Sequence, residues 1–385
     1  MLKKLFAQNH EDNYKLFFPF AVPGFFTGMG FWIWGVDYGN SRFWHPFVMM
    51  HLFVFPVLLG FLWTGIPRFV ASRFPSTNTR ILYIILLLSA WLAYVFGNVV
   101  AFKVILFVSH LGLLLWYFAL MKHSKIQPVL IPAFLFYGFL AGTLGSGIIL
   151  LSELAVLPEL MILAGNELYR FVMFLFLVGA VGSKMLPVMA KTPPYSKGAF
   201  SIWSLRLAFD NRFWWGIGGI IFISCMFPVV LNRELFVLIR FAALLFLARE
   251  VWMLFRMPAN RTMTVWFLKL AIFGIVISPF IHLAAGMRSS HASHAFFISM
   301  YLLLVMVVSS RVIFGHGGHD VDKKEKTSRL LFFAYMLVVI ILILRPLSGY
   351  IIAQLLWYKI IAMIAIAGAI LFLAEIGRTV LKGNR

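Results

Sequence analysis

Long apolar stretches recur along the whole chain, and each is close to the length that an α-helix needs to cross a bilayer. About twenty consecutive apolar residues span the hydrocarbon core. Twelve such stretches cover residues 16–36, 44–66, 81–99, 102–121, 129–151, 168–189, 213–231, 234–255, 264–286, 294–314, 329–347 and 350–375. Because backbone polar groups in lipid must be bonded within the protein, these stretches predict helices. The sequence therefore predicts an all-α, polytopic membrane helix bundle that forms a single transmembrane domain over residues 1–385.

The composition excludes other classes of protein. Hydrophobic residues make up 62% of the chain and charged residues 12%, which is too little charge to cover the surface of a soluble protein. The same apolar content excludes a disordered chain. The single cysteine, Cys225, can form neither an internal disulfide nor a metal site built from several cysteines.

The positive net charge of +20 is explained by the membrane topology. If the N-terminus is cytoplasmic, both termini and the cytoplasmic loops hold 21 Lys and Arg, whereas the opposite loops hold five. Positive charge is retained on the cytoplasmic side during insertion. This asymmetry predicts an N-in, C-in orientation, with membrane lipids as partners. It makes nucleic acid unnecessary as a partner.

Histidines are the most informative polar residues, because polar groups at membrane depth are costly and mark function. Six of the ten histidines fall near the midplane or in the predicted outer half: His45, His51, His110, His282, His291 and His294. Imidazole is a common ligand for haem iron, copper and zinc, so these six are the predicted cofactor-binding residues. A histidine at a helix end also commonly lies in the interface without a ligand, and this alternative stays open for His45, His282 and His291.

A narrower set is predicted to bind metal. It comprises His45, His51 and His294 together with Met49, whose thioether suits Cu(I). His45 and His51 are six residues apart and so lie about 9 Å apart along a straight helix. A distortion of that helix is therefore needed if both are to bind one metal.

Two segments resemble the signatures of the NnrS family. WHPFVMMHLFVFPVLLGFLWTGIPRF, from Trp44, matches the second-helix signature at His45, Met49, Gly60, Phe61, Leu62, Thr64 and Pro67. HAFFISMYLLLVMVVSSRVIFGHGG, from His294, is similar to the second signature at His294, Ala295, Arg311, Gly315, His316 and Gly318. Phe47 and Val48 stand where the family motif has His and Glu, so this chain departs from the family inside the first signature.

The resemblance implies a haem- and copper-containing protein of the bacterial inner membrane, with a role in nitric oxide metabolism or in resistance to nitrosative stress. His45 and His294 are then candidate ligands, and Arg311 and His316 are motif residues of unassigned role. A diatomic gas such as nitric oxide is the implied small-molecule partner. The resemblance is compatible with an enzyme, a sensor or a carrier, and it names no electron donor.

Two alternatives stay open at the level of sequence. Twelve helices with several internal prolines are also typical of secondary transporters of small solutes, although the sequence shows no Asp or Glu in the middle of a predicted span. A haem–copper oxidase shares the helix number and histidines in the membrane. It ranks last because its His pair and His-x-His patterns are missing from this sequence.

Overall fold

Helices account for the regular structure of the chain throughout its described residues. The computed structural model describes residues 11–34, 38–126, 128, 130–158, 161–190, 211–226, 233–252, 254–284, 290–351 and 353–383. The helices are α1 (Tyr14–Ile33), α2 (Phe43–Phe69), α3 (Thr77–Val95), α4 (Val99–Lys122), α5 (Ile131–Glu153), α6 (Met161–Ala190), α7 (Asn211–Met226), α8 (Arg233–Glu250), α9 (Met263–Ala284), α10 (His291–His316), α11 (Val321–Thr327), α12 (Arg329–Leu347) and α13 (Gln354–Gly383). This confirms the predicted all-α membrane fold.

Ten helices in the described residues are long and apolar enough to cross a membrane. They correspond to ten of the predicted spans. The other two predicted spans, 213–231 and 234–255, coincide with α7 and α8, which have 16 and 18 residues. The total of twelve crossings and the N-in, C-in orientation stay predictions.

The helix ends follow local sequence signals. Ser76, Asn98 and Ser328 cap α3, α4 and α12 by accepting bonds from the backbone N–H three residues on, as expected of N-cap residues. Gly97 has a φ of +66° between α3 and α4, a backbone conformation that favours glycine. The Gly97–Asn98 pair therefore separates two long apolar helices.

Three of the long apolar helices in the described residues contain a π-helical turn. The turns are Val48–Val54 in α2, Leu168–Val172 in α6 and Ile298–Leu303 in α10. π-Helical turns are rare and occur frequently at functional sites, because the extra residue changes where the side chains point. His51 and Tyr169 each lie in one of these turns.

The contacts divide the chain into two compact units. The first unit consists of Met1–Phe25, Pro46–Met185 and Lys197–Arg240. The second unit consists of Phe26–His45, Leu186–Ser196 and Phe241–Arg385.

In the first unit, α4 packs on α5, and α5 on α6. The second contact is close because α5 presents glycines: a Cβ at Gly145 would lie 2.6 Å from the backbone nitrogen of Tyr169 and 2.8 Å from the carbonyl oxygen of Gly165. Small residues allow this approach of two helices in a membrane. Ion pairs join Lys103 to Glu153 at 2.5 Å and Arg240 to Glu167 at 2.6 Å.

In the second unit, α9, α10 and α12 pack together, and α12 lies along α13. The core is apolar, with Tyr335 buried among α9, α10 and α12 side chains and hydrogen-bonded to Ser310 at 2.7 Å. The short helix α11 lies between α10 and α12 in the sequence and contacts α9.

Candidate functional site

The first unit brings two of the predicted histidines together. His51 lies in the π-helical turn of α2, and His110 lies in α4. Both side chains are buried, and their ring centres are 6.1 Å apart. Two imidazoles from separate helices therefore meet in the core of this unit.

The hydrogen bonds of these rings are incomplete. Nδ1 of His110 donates to the carbonyl oxygen of Leu106 at 2.7 Å, which leaves the lone pair on Nε2. Within the part of the chain that the structure describes, Nε2 of His110 and both ring nitrogens of His51 have no hydrogen-bond partner. A buried polar atom without a partner costs about 1–3 kcal/mol. Nε2 of His110 and the unprotonated nitrogen of His51 are therefore suited to a ligand that accepts a lone pair. A carbonyl bonded to the other ring nitrogen also orients metal-binding histidines.

Two further donors lie beside His110, and the sequence did not identify either. The ring of Tyr169 lies 5.2 Å from that of His110, edge to face, and its buried hydroxyl has no partner among the described residues. A Cβ at Gly142 would lie 2.8 Å from Cδ2 of His110 and 2.6 Å from Sδ of Met173, so the thioether is close to the imidazole. The chain has 12 Tyr and 18 Met, and no sequence pattern distinguishes these two residues from the others. In the structure, they are distinguished by their position in or next to the π-helical turn of α6.

Aromatic side chains enclose the pair. Phe55 stacks on His51 with ring centres 4.7 Å apart, and it lies 5.0 Å from His110. Phe102 lies 5.7 Å from His51. These rings exclude water from the two imidazoles and give them an apolar setting.

The distance between the two rings limits what they could hold together. A first-row metal lies about 2.0–2.1 Å from an imidazole nitrogen, so two rings that share one ion have centres about 6 Å apart. The observed 6.1 Å fits one metal ion. Two imidazoles on a haem iron would lie at a similar separation, but Phe55 lies within 5.0 Å of both rings and would have to move to admit a porphyrin. No group of three or more His, Cys, Asp or Glu forms a metal site among the described residues; Tyr169 and Met173 are the further side chains beside His110 that could bind a metal.

His45 lies in the second unit and is hydrogen-bonded there. Its Nδ1 is 2.9 Å from the carbonyl oxygen of Gly28 and 3.2 Å from Nε1 of Trp32. The carbonyl requires a proton on Nδ1, whereas the indole N–H requires a lone pair, so one tautomer satisfies only one of these contacts. The rings of His45 and Trp32 also touch edge to face at 5.3 Å.

His291 is held more firmly in the same unit. Nη1 of Arg345 donates to Nδ1 of His291 at 2.5 Å, and Ser348 Oγ lies 3.1 Å from that nitrogen. The ring of Tyr358 stacks on His291 with ring centres 5.9 Å apart. The Arg345 guanidinium lies over the same Tyr358 ring, 4.6 Å from its centre, in a cation–π contact. Because an arginine stays protonated, Nδ1 of His291 is an acceptor and the imidazole is neutral.

The other predicted ligands are placed as follows. His294 lies half-buried in α10, with its ring 5.9 Å from that of Phe297. Met49 lies half-buried in the π-helical turn of α2, in the first unit. The side chain of His282 lies outside the described residues. The assignment of these residues to a cofactor stays a prediction.

Arg311, a motif residue, joins three segments of the second unit. Its guanidinium donates to the carbonyl oxygen of Met189 and to Asp322, each at 3.0 Å, and lies 3.4 Å from Glu325. Glu325 is buried and accepts a bond from Thr262 at 2.7 Å. Burial raises the pKa of Glu325 above its ordinary value, and the Arg311 cation opposes this shift. These contacts give Arg311 a structural role.

His316, the other motif residue, lies at the exposed end of α10. Its Nδ1 donates to the carbonyl oxygen of Val312 at 2.9 Å, which is in its own helix. A bond of this kind fixes the ring without joining separate elements. His316 is therefore a suitable control position for substitutions at the buried histidines.

Comparison with protein families gives a match over most of the chain. The family model described as NnrS protein matches residues 11–383, which is nearly the whole chain. No curated protein matches the chain.

Proposed function

The chain belongs to the NnrS family, and from this we propose that it is a haem- and copper-binding protein of the bacterial inner membrane that acts on nitric oxide or protects against nitrosative stress. The observation that carries the copper part is the buried pair His51 and His110, with ring nitrogens that lack partners among the described residues. The haem part is supported by family membership and by the motif histidines His45 and His294.

We assign copper to the first unit on the chemistry of its donors. Neutral imidazole and thioether are ligands that copper favours, and the first unit offers the pair His51 and His110 with Met173 beside His110. When bound, copper supplies one-electron redox chemistry, and haem iron supplies a position for a diatomic gas. Phe55 and Phe102 keep water out. The Tyr169 hydroxyl, with no partner of its own among the described residues, can donate a hydrogen bond to a small ligand.

We assign haem to the second unit because two motif histidines lie there. The contact from His45 Nδ1 to the carbonyl oxygen of Gly28 is the type of bond that orients metal-binding histidines. Trp32 packs against His45 and provides an apolar wall. An apolar gas reaches such a site through lipid, so the proposal requires no polar channel.

An optical spectrum of the purified protein tests the haem assignment. We expect a Soret band that shifts when nitric oxide is added. His294→Ala should abolish the band, whereas His319→Ala, at an unburied position after α10, should retain it. A chain without a Soret band, or equal retention in both variants, contradicts the assignment.

The alternative of a secondary transporter stays a prediction. Nothing in the described part of the chain favours it over the cofactor-binding function. Saturable solute uptake into proteoliposomes that is unchanged by His45→Ala and His294→Ala would support the transporter and contradict the present proposal.

A further inference from the structure

A groove of about 620 Å³ lies in the second unit where α9 and α12 begin. Arg261 precedes α9, Lys326 lies in α11, and Arg329 is the first residue of α12. All three side chains line the groove and are exposed. Three cations from separate segments thus converge on one cavity.

The positive charge of the groove is not neutralised by the described residues. Arg261, Lys326 and Arg329 form no ion pair with any residue that the structure describes. Glu325 is the carboxylate among the lining residues, but it is buried and is bonded to Thr262 and paired with Arg311. The exposed face of the groove is therefore cationic and suited to an anion.

One wall of the groove is apolar. Phe332 and Phe333, in the first turn of α12, line it and are 42% and 55% exposed. Trp266, in the first turn of α9, is 49% exposed. Exposed aromatic residues at the ends of membrane-spanning helices are typical of the boundary between lipid and water. The groove thus combines cations with an apolar wall at the level where lipid headgroups lie.

We propose that this groove binds the headgroup of an anionic phospholipid. Its phosphate lies between Arg261, Lys326 and Arg329, and its acyl chains run along Phe332 and Phe333. Arginine is suited to the phosphate because its planar guanidinium can donate two bonds to two oxygens. A free phosphate ion would use the cations but not the phenylalanines, so the apolar wall favours a lipid.

Native mass spectrometry of the full-length protein in neutral detergent tests the proposal, with phosphatidylglycerol, phosphatidylcholine and inorganic phosphate as separate probes. The groove variant carries Arg261→Gln, Lys326→Gln and Arg329→Gln. The control variant removes three exposed cations of the first unit by Arg73→Gln, Lys122→Gln and Lys125→Gln. Both variants lose the same net charge.

We expect the wild type and the control to bind phosphatidylglycerol in preference to phosphatidylcholine. The groove variant should bind phosphatidylglycerol about tenfold more weakly or worse, because each cation near the surface contributes to the attraction of an anionic headgroup. Phe332→Ala with Phe333→Ala should also weaken the lipid but leave phosphate unaffected. A single Lys326→Gln, at an exposed position, gives a smaller loss of the same sign even if the triple variant fails to fold.

Three results would overturn the proposal. The first is equal weakening in the groove and control variants, which would show a general charge effect. The second is phosphatidylcholine binding as tight as that of phosphatidylglycerol. The third is phosphatidylglycerol binding that inorganic phosphate displaces and that Phe332→Ala with Phe333→Ala leaves unchanged, which would show a small-anion site.

Discussion

The two units differ in how the ring nitrogens of their histidines are hydrogen-bonded. In the first unit, His51 and His110 are buried among aromatic rings, and three of their four ring nitrogens have no partner within the described residues. In the second unit, His45 and His291 are engaged by a carbonyl, an indole, an arginine and a serine. Predicted depth in the membrane does not separate these two groups of histidines, whereas their hydrogen bonding does.

Apart from the two histidines, the largest effect on copper binding in the first unit is expected from a substitution at Met173, whose side chain is a thioether. Met173→Leu keeps the volume of the side chain but removes the sulfur that lies beside His110. We expect the copper content of the purified protein to fall severalfold, because a ligand for Cu(I) is lost. Met49→Leu, at the half-buried position that the sequence predicts as a ligand, is the matched control. If Met49→Leu loses copper and Met173→Leu does not, the composition of the site is wrong.

A second prediction concerns the packing that brings the donors together. A Cβ at Gly142 would lie within 3 Å of both Met173 Sδ and His110 Cδ2, so Gly142→Ala should destabilise the protein by about 1–3 kcal/mol. It should also lower copper content. Gly216→Ala in α7 meets nothing within 4 Å and should be neutral or slightly stabilising. The midpoint of thermal unfolding in detergent measures both variants, and equal effects would contradict the close approach.

A third prediction concerns His291, whose Nδ1 accepts a hydrogen bond from Arg345. His291→Ala should leave the copper content unchanged but lower stability by about 1–3 kcal/mol, because Arg345 loses an acceptor and Tyr358 loses a stacked ring. His316→Ala, at the exposed end of α10, breaks a bond within its own helix and should have a smaller effect. A copper loss in His291→Ala would remove the distinction between the two units.

The smallest effect is expected at Glu325. Its pKa lies above the ordinary value of 4.5, mainly because of burial, so its contribution is most favourable below that pH and is lost as the pH rises through the raised pKa. The wild type should therefore gain stability relative to Glu325→Gln as the pH is lowered from neutral to acidic values. Thermal unfolding across this range, with the exposed Glu11→Gln as control, checks the sign. A difference that grows towards neutral pH would contradict it.

The sequence predicted the helical membrane fold well, because an apolar stretch of about twenty residues is by itself a strong indication of a membrane helix. The predicted span 329–347 coincides with α12, and Gly97–Asn98 separates α3 from α4 near the predicted boundary between the spans 81–99 and 102–121. The lengths of α7 and α8 were harder to predict, because apolar composition does not show where a helix ends. The three π-helical turns could not be predicted, since an extra residue in a turn leaves the hydrophobic pattern unchanged.

The site was predicted only in part. Membrane depth pointed correctly to His51 and His110 as buried residues, but it did not show that they form a pair. Tyr169 and Met173 resemble many other Tyr and Met residues in the sequence, and only the contact between α5 and α6 brings them to His110. The bonds of His45 and His291 depend on distant residues and are likewise not visible in the sequence.

The copper content of three proteins purified in parallel tests the central claim most directly: the wild type, His51→Ala and His291→Ala. The account predicts that the wild type and His291→Ala retain copper in equal amounts, and that His51→Ala retains none above background. Copper retained by His51→Ala and lost from His291→Ala would contradict the assignment of the metal to the first unit.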